Sequence, residues 1–188
     1  MGTENCMSLN KELEFFQNLL LDIMTRRVVF RKFEAELKKT NLTEYNDMVR
    51  FVWYGYVISQ LSDCRKFFDR DGRTHNFQFV VGHLKDMPLK NRHTELFEQW
   101  KNEKLEAVIN KYMLHADQRA GEMKTEVHLT ALDTFIDDLE KYLKEIVDDL
   151  NKNYQGVSSL GTTGFLLERE HEVDVFFDEI RKKSPTAD

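Results

Sequence analysis

The chain has 188 residues, with 33 acidic and 27 basic side chains and a formal net charge of −6. That length indicates one domain, or one domain with an appendage, and it is enough for a real hydrophobic core. Aromatic residues make up 12% of the chain and include 14 Phe, which excludes a disordered polar tail as its main character. With only 2 Pro and 8 Gly, long helices are favoured over a many-turned β-sandwich.

The sequence shows neither a membrane span nor a secretory leader. No apolar run approaches the ~20 residues that cross a bilayer, and the first ten residues lack the apolar stretch of a signal peptide. Two cysteines, Cys6 and Cys64, do not make a disulfide framework. We therefore predict a cytoplasmic protein with no membrane contact.

Apolar side chains recur at helical spacing in the first part of the chain. A first helix is predicted over residues 9–39 and a second over 43–68. Asn41 and Glu44 stand three apart at the start of the second helix, as in a capping box. The apolar stripe of this helix is wide, which predicts contacts on several of its sides.

Two further helices are predicted in the middle of the chain. A short third helix has Thr74 or Asn76 as its cap and is predicted to end at Met87–Pro88. A fourth helix is predicted as one continuous element over residues 92–120. Its buried stripe is expected to contain Leu96, Trp100, Leu105, Val108, Ile109, Tyr112 and Ala116.

The last part of the chain predicts a fifth helix, a linker and a C-terminal helix. Thr130 and Asp133 form a capping-box-like pair at the start of the fifth helix. The predicted organisation is a helical bundle over residues 8–153, a Gly/Ser-rich linker over 154–164, and a C-terminal helix over 165–184 that packs on the bundle or on a partner chain.

Charge is distributed unevenly along the chain. Residues 129–188 hold 7 basic and 14 acidic side chains, a net −7, whereas residues 65–104 hold 9 basic and 6 acidic, a net +3. The acidic part would repel a phosphate backbone. Tight, non-specific binding of nucleic acid by a monomer is therefore not expected.

A short helical passage contains the most informative polar residues. Lys111, His115 and Arg119 are spaced four apart, at the edge of the apolar stripe. Nearby cations disfavour the charged form of a histidine, so the imidazole is a candidate general base beside a phosphate. The alternative is a half-buried helical histidine with two solvated cations.

Three passages resemble the HEPN superfamily, and more closely its abortive-infection U-type branch. They are LSDCRKFFDRDGRT at residues 61–74, NKYMLHAD at 110–117, and LTAL at 129–132. The resemblance covers roughly residues 10–150. It implies an all-α, up-and-down bundle of four to five long helices plus a C-terminal helix, and a homodimer.

The resemblance also implies a candidate active site. Many HEPN proteins are metal-independent ribonucleases whose motif is an Arg, four to six residues, and a His, often with a polar residue just after the Arg. His115 matches the motif His and Asn110 the polar residue, while Ile109 stands where the Arg is expected. Lys111 and Arg119 are the candidate substitutes, although Lys lacks the bidentate fork of Arg.

A second cluster of charged residues precedes the third helix. Arg70 and His75 also fit the motif spacing, but Gly72 between them indicates a turn, and we interpret this match as chance. The charged residues of this turn are typical of an ion-pair network between helices. A polar cluster is a candidate neighbour of the groove that contains His115. It comprises Asp69, Arg70, Asp71, Arg73 and Asp117.

No metal or cofactor is predicted. A di-iron bundle needs paired Glu-x-x-His motifs, and the sequence has one copy, at Glu168–His171. The glycines at residues 156–164 lack the Lys-Ser/Thr ending of a phosphate-binding loop.

Two functions from different classes follow, and the sequence leaves both open. The first is a dimeric HEPN-like ribonuclease of phage defence or stress, with His115 as general base, Lys111 and Arg119 as stabilisers of the phosphate charge, and Asn110 as orienter. Its candidate partners are RNA and a protein partner or antidote. The second is a non-catalytic helical module that binds a protein, or binds RNA without cutting it. If the site assignment is right, replacing Ile109 with Arg should create or raise cleavage.

Overall fold

The computed structural model describes residues 3–39, 47–69, 75–114, 129–154 and 171–179, without the side chains of residues 3–6, 48 and 110–114. All regular elements within these ranges are α-helices, which confirms the all-α prediction. In chain order they are α1 (Thr3–Leu37), α2 (Asp47–Arg65), α3 (Phe77–His83), α4 (Met87–Asn102), α5 (Leu105–Leu114), α6 (Leu129–Asn153) and α7 (residues 171–179).

The hydrophobic core lies between the two longest helices and the elements that connect them. α1 contacts α2, α3 and α6, while α4 contacts α5 and α6, and α2 contacts α5. Full burial of a large apolar side chain contributes about 1.5–3 kcal/mol relative to leaving it exposed. The largest fully buried side chains include Trp100, Tyr142, Phe16, Phe67, Phe77 and Phe135.

The first two helices are confirmed, although α1 begins six residues before its predicted start, and the predicted start of the second helix at residue 43 lies outside the described residues. α1 begins at Thr3 instead of residue 9, and Lys38 and Lys39 follow its end in a turn. α2 ends at Arg65, and the chain continues through a hydrogen-bonded turn over residues 66–68. The predicted capping box at Asn41 and Glu44 lies outside the described residues.

The prediction that Met87–Pro88 ends the third helix is wrong, because these residues begin α4. Asp86 is the N-cap, and its carboxylate accepts a hydrogen bond from the Leu89 amide at 3.2 Å. Proline is tolerated in a first turn, where its missing N–H costs no intrahelical bond. The alternative cap Asn76 is confirmed for α3, since its side chain accepts from the amide of Gln78 at 2.9 Å.

The predicted fourth helix is two helices, α4 and α5. The chain turns at Glu103 and Lys104, and Lys104 has a φ of 58°. This left-handed conformation is uncommon for a residue with a Cβ, and it ends a helix. The sequence contains the signal, because the step from Trp100 to Leu105 is five residues, whereas one face of a helix repeats every three or four.

α6 has the strongest one-sided pattern, but its predicted cap is wrong. Thr130 is already inside the helix, and the Asp133 carboxylate pairs with Arg31 of α1 instead of capping. The predicted stripe is confirmed, and Tyr142 joins it in the core. The predicted members that are buried are Leu132, Phe135, Ile136, Leu139, Leu143, Ile146, Val147 and Leu150.

The C-terminal part of the chain is described in two places. Tyr154, the first residue of the predicted linker, donates a hydrogen bond from its hydroxyl to the carbonyl of His83 at 3.1 Å. α7 lies within the predicted C-terminal helix, and its Asp174 pairs with Lys32 of α1. The stated domain boundaries remain a prediction. Within the described ranges no helix combines the length and apolar character needed to cross a bilayer.

Candidate functional site

The predicted catalytic residues lie mostly outside the part of the chain that the structure describes. This applies to His115 and Arg119. Asn110 and Lys111 lie on α5 by their backbone, but their side chains are not described. Whether the four side chains form a site therefore remains a prediction.

Most of the neighbouring polar cluster also lies outside the residues that the structure describes. Arg70, Asp71, Arg73 and Asp117 lie outside the described residues. Asp69 is described and exposed, directly after the turn that ends α2. The cluster stays a prediction from the sequence.

The structure does place the residue where the motif expects arginine. Ile109 is 2% exposed and belongs to the hydrophobic core, as does its neighbour Val108. Position 109 therefore faces the interior of the bundle. A charged side chain there could reach neither solvent nor a bound phosphate without disturbing the core.

His75 is held by contacts with α1. Its ring stacks on Phe15 with centroids 3.7 Å apart, and its Nδ1 lies 3.2 Å from the Oε2 of Glu12. The same carboxylate oxygen accepts a hydrogen bond from the backbone amide of Asn76 at 2.9 Å. These contacts fix the entry into α3, which gives His75 a structural role.

His93 is a buried histidine that the sequence analysis did not single out. Its Nε2 lies 3.1 Å from the carbonyl of Phe67, and its Nδ1 lies 3.2 Å from the side-chain nitrogen of Gln78. These partners assign a neutral ring that donates from Nε2 and accepts at Nδ1. Both nitrogens are thus occupied in joining α3 and α4 to the end of α2.

Two other buried reactive groups lack the environment of a nucleophile. Burial raises the pKa of the Cys64 thiol, and Cys64 is fully buried on the inner side of α2. Burial likewise raises the pKa of Tyr142, whose hydroxyl has no hydrogen-bond partner within the part of the chain that the structure describes. A reactive thiol is ordinarily accessible and has a lowered pKa, so Cys64 is a packing residue.

Charged side chains line a groove of about 580 Å³ between α1, α6 and α7. Cations and carboxylates balance in its wall, so the groove has no excess charge with which to hold an ionic ligand. Its ion pairs connect the helices instead. They are Arg27 with Asp137, Arg31 with Asp133, and Lys32 with Asp174.

The outer side of α2 exposes apolar side chains. Twelve consecutive residues, 51–62, contain no charge. Phe51 is 74% exposed and Tyr54 38% exposed. Phe51, Gly55, Ile58 and Ser62 follow each other at steps of four, three and four, so they lie along one side of the helix. We call these four residues together with Tyr54 the α2 outer face.

Gly55 is not explained by the packing of its own chain. It is exposed in the middle of α2, and a Cβ added there would meet nothing within 4 Å. Glycine inside a helix costs about 0.5–1 kcal/mol relative to alanine. Among the described residues, none lies close enough to Gly55 to require a glycine there.

The width of the apolar pattern of α2 was the available signal for this face. It predicts contacts on several sides, and α2 does contact both α1 and α5. The α2 outer face lies on the remaining side of the helix. Helical periodicity alone does not predict which partner contacts it. Among the described residues, no group of three or more His, Cys, Asp or Glu is arranged to hold a metal ion.

Comparison with protein-family models, curated proteins and solved structures finds no match.

Proposed function

We propose that this chain is a HEPN-like helical module that works by binding protein through the α2 outer face, and does not cut RNA. The observation that carries the proposal is the exposure of an uncharged helix side, with Phe51 at 74%. A solvent-facing helix side ordinarily carries polar and charged groups. An exposed apolar patch on a folded protein is typical of a contact site.

The positions available for a motif arginine argue against the ribonuclease. Counting back from His115, the motif spacing reaches Asn110, Ile109 and Val108. Ile109 and Val108 are 2% and 1% exposed, and Asn110 is neutral. The cation that would stabilise the developing charge on phosphate is missing from all three positions.

The charge balance supports the same proposal. Residues 129–188, which include α6 and α7, hold 7 basic and 14 acidic side chains, a net charge that disfavours binding to a phosphate backbone. A phage-defence or stress setting, with or without an antidote, stays a prediction of the family resemblance.

Incubation of RNA with the purified chain in chelator tests the proposal. We expect no cleavage beyond that given by a His115→Ala variant purified in the same way. Asn110→Arg serves as a sensitivity control, because it places an arginine at the motif spacing from His115 on the α5 backbone.

Cleavage by the unmodified chain that is lost in His115→Ala, with cyclic-phosphate ends, would overturn the proposal. It would establish a metal-independent ribonuclease centred on His115. Cleavage only by Asn110→Arg would support a binding module built on a HEPN-type scaffold.

A further inference from the structure

The groove between α1, α6 and α7 is only partly filled by the chain itself. Val173 of α7 lines it, yet Ala35 of α1 stays exposed, Val28 is half-buried, and a volume of about 580 Å³ remains open. We propose that this groove is a docking site for an acidic amphipathic helix of another protein, which displaces α7 when it binds. The lining residues belong to α1, α6 and α7, so the inference concerns a different surface from the α2 outer face and goes beyond the proposed function.

The first support is charge. Three cations of α1 and two carboxylates of α6 line the walls, and the remaining carboxylate of the lining is Asp174 of α7, which pairs with Lys32. The charges of the groove therefore balance only while α7 is in place. Residues 171–179 contain four acidic side chains and neither Lys nor Arg. An acidic helix thus supplies the negative charge that the walls from α1 and α6 lack.

The second support is the apolar pattern of α7. Val173, Phe176 and Phe177 stand at positions i, i+3 and i+4, the spacing of a helix that lays one side into a groove. Val173 and Phe177 are half-buried, whereas Phe176 is 60% exposed. The docked α7 therefore uses its apolar side only in part. A helix that buries the same pattern more fully would replace it.

The contacts that hold α7 suit an exchangeable segment. The Asp174 side chain is 55% exposed in its ion pair with Lys32, and exposed pairs contribute little to stability. α6, by contrast, has a buried side along its whole length. α7 therefore leaves its site at a lower free-energy cost than a helix of the core.

The same walls suit a helix better than a polyanion. Arg27 and Arg31 already pair with aspartates of α6, so a phosphate backbone would find one further cation, Lys32, beside two carboxylates. An acidic helix needs only one carboxylate for Lys32, and its apolar side chains pack on Val28 and Ala35. The occupant is therefore a protein helix, not a nucleic acid or an anionic lipid surface.

The open volume beside Val173 predicts which helix binds best. A longer apolar side chain at that position would fill space that valine leaves empty, and filling it adds van der Waals contacts. The probe is a fluorescently labelled synthetic peptide with the sequence of residues 166–182 and the substitution Val173→Leu. We expect it to bind the full chain more tightly than the unsubstituted peptide does.

Fluorescence anisotropy of the peptide with the full chain tests the competition with α7. Asp174→Lys in the chain should tighten peptide binding by about fivefold or more, because it weakens the competitor that the chain itself supplies. Glu179→Lys is the matched control, since it makes the same change in charge on α7 at an exposed residue that does not line the groove. Circular dichroism checks that both variants are folded.

A charge exchange tests the contact with α1. Lys32→Glu in the chain should abolish binding of the peptide, and a peptide that also carries Asp174→Lys should restore it. Lys11→Glu is the control, because Lys11 is an exposed lysine of α1 that does not line the groove.

Hydrogen exchange read by mass spectrometry tests the displacement itself. A saturating amount of the peptide should speed exchange of the α7 amides and leave those of α6 unchanged. The Val173→Leu substitution gives the peptide a different mass from α7, so the two are told apart. Peptide binding that leaves the α7 amides protected would overturn the inference, because the peptide would then lie elsewhere.

Equal binding to the unmodified, Asp174→Lys and Glu179→Lys chains, or no binding to any of them, would also overturn the inference. A dimer in sedimentation equilibrium that the peptide dissociates would assign the groove to α7 of a second copy and overturn the choice of another protein. Phe51→Glu should leave peptide binding unchanged, since Phe51 belongs to the α2 outer face. The RNA-cleavage test is unaffected by these outcomes, so the two proposals fail separately.

Discussion

The rings of Phe30 on α1 and Tyr56 on α2 stack face to face, with centroids 3.9 Å apart and planes within 1° of parallel. Tyr56 lies on the inner side of α2, opposite Phe51. The stack is one of the contacts that orient α2 about its own axis. With Tyr56 held against α1, Phe51 lies on the solvent side of the helix.

An ion pair holds α1 and α2 in the same arrangement. Asp63 of α2 is only 14% exposed and accepts hydrogen bonds from Arg26 of α1 and from Lys66, the latter at 2.6 Å. Burial acts to raise the pKa of this carboxyl, but the hydrogen bonds from Lys66 and Arg26 outweigh it and hold the pKa below its usual value.

Stability should therefore depend on the charge of Asp63 at low pH. A lowered folded-state pKa means that the unfolded chain binds more protons, so the contribution is present above pH 3.8 and is lost as pH falls through the folded pKa. We expect Asp63→Asn to lower the free energy of unfolding by about 1 kcal/mol near neutral pH. The difference should shrink towards pH 2 in urea titrations.

Asp137→Asn is the matched control for Asp63. Asp137 pairs with Arg27 at 2.6 Å but is 64% exposed, and exposed pairs contribute little. An equal loss of stability in both variants at neutral pH would contradict the role assigned to Asp63.

The hydroxyl groups of Tyr142 and Tyr154 should have opposite effects on stability. The Tyr142 hydroxyl is buried without a hydrogen-bond partner among the described residues, whereas that of Tyr154 donates to the His83 carbonyl. Tyr142→Phe removes an unsatisfied polar group and should raise the free energy of unfolding by about 1 kcal/mol. Tyr154→Phe should lower it by about 0.5–1.5 kcal/mol, because a hydrogen bond is lost.

Thermal and urea unfolding of the two tyrosine variants measure this directly. The substitutions are chemically identical, so the unfolded chain changes in the same way in each. A loss of stability in Tyr142→Phe would indicate that its hydroxyl has a partner after all.

The presence of each helix and its buried side could be predicted from the spacing of apolar residues. The helix boundaries could not, because they depend on local hydrogen bonds at the helix ends. The α6 stripe was predicted correctly because about seven turns of helix repeat one pattern without interruption by Gly or Pro. The start of α4 was missed because Met87–Pro88 is equally compatible with ending a helix and with beginning one. Only the hydrogen bond from the Leu89 amide to Asp86 decides between them.

The candidate site was harder to predict from the sequence than the fold was. Periodicity predicted that Ile109 belongs to the buried stripe, and the structure confirms it. The motif spacing, which contains no information about burial, made the same residue the substituted active-site position. The exposure of Phe51 on α2 was likewise not predicted, because it depends on where the neighbouring helices pack.

The backbone conformation of Lys104 should determine how substitutions at this position change the free energy of unfolding. Its φ of 58° lies in the left-handed region that glycine adopts without steric cost. We expect Lys104→Gly to stabilise the fold by up to about 1 kcal/mol and a β-branched Lys104→Val to destabilise it by about 1–2 kcal/mol. Urea unfolding of both variants checks the prediction. Equal effects of the two substitutions would contradict the left-handed turn between α4 and α5.

Ile109→Arg tests the placement of the motif position. The sequence predicts that this substitution creates or raises RNA cleavage, but the structure predicts that it disrupts the core. A cation at a site that is 2% exposed must either lose its hydration or force α5 away from α4. Loss of the buried isoleucine alone costs about 2–5 kcal/mol, and desolvation of the charge adds to it.

We therefore expect Ile109→Arg to give little folded protein at 25 °C, as judged by circular dichroism and thermal unfolding. Ala107→Arg is the matched control, since it introduces the same side chain two residues earlier on α5 at an exposed position. A folded Ile109→Arg variant with the stability of Ala107→Arg would contradict the burial of Ile109. Cleavage of RNA by that folded variant, absent in Ala107→Arg, would instead restore the sequence-based site.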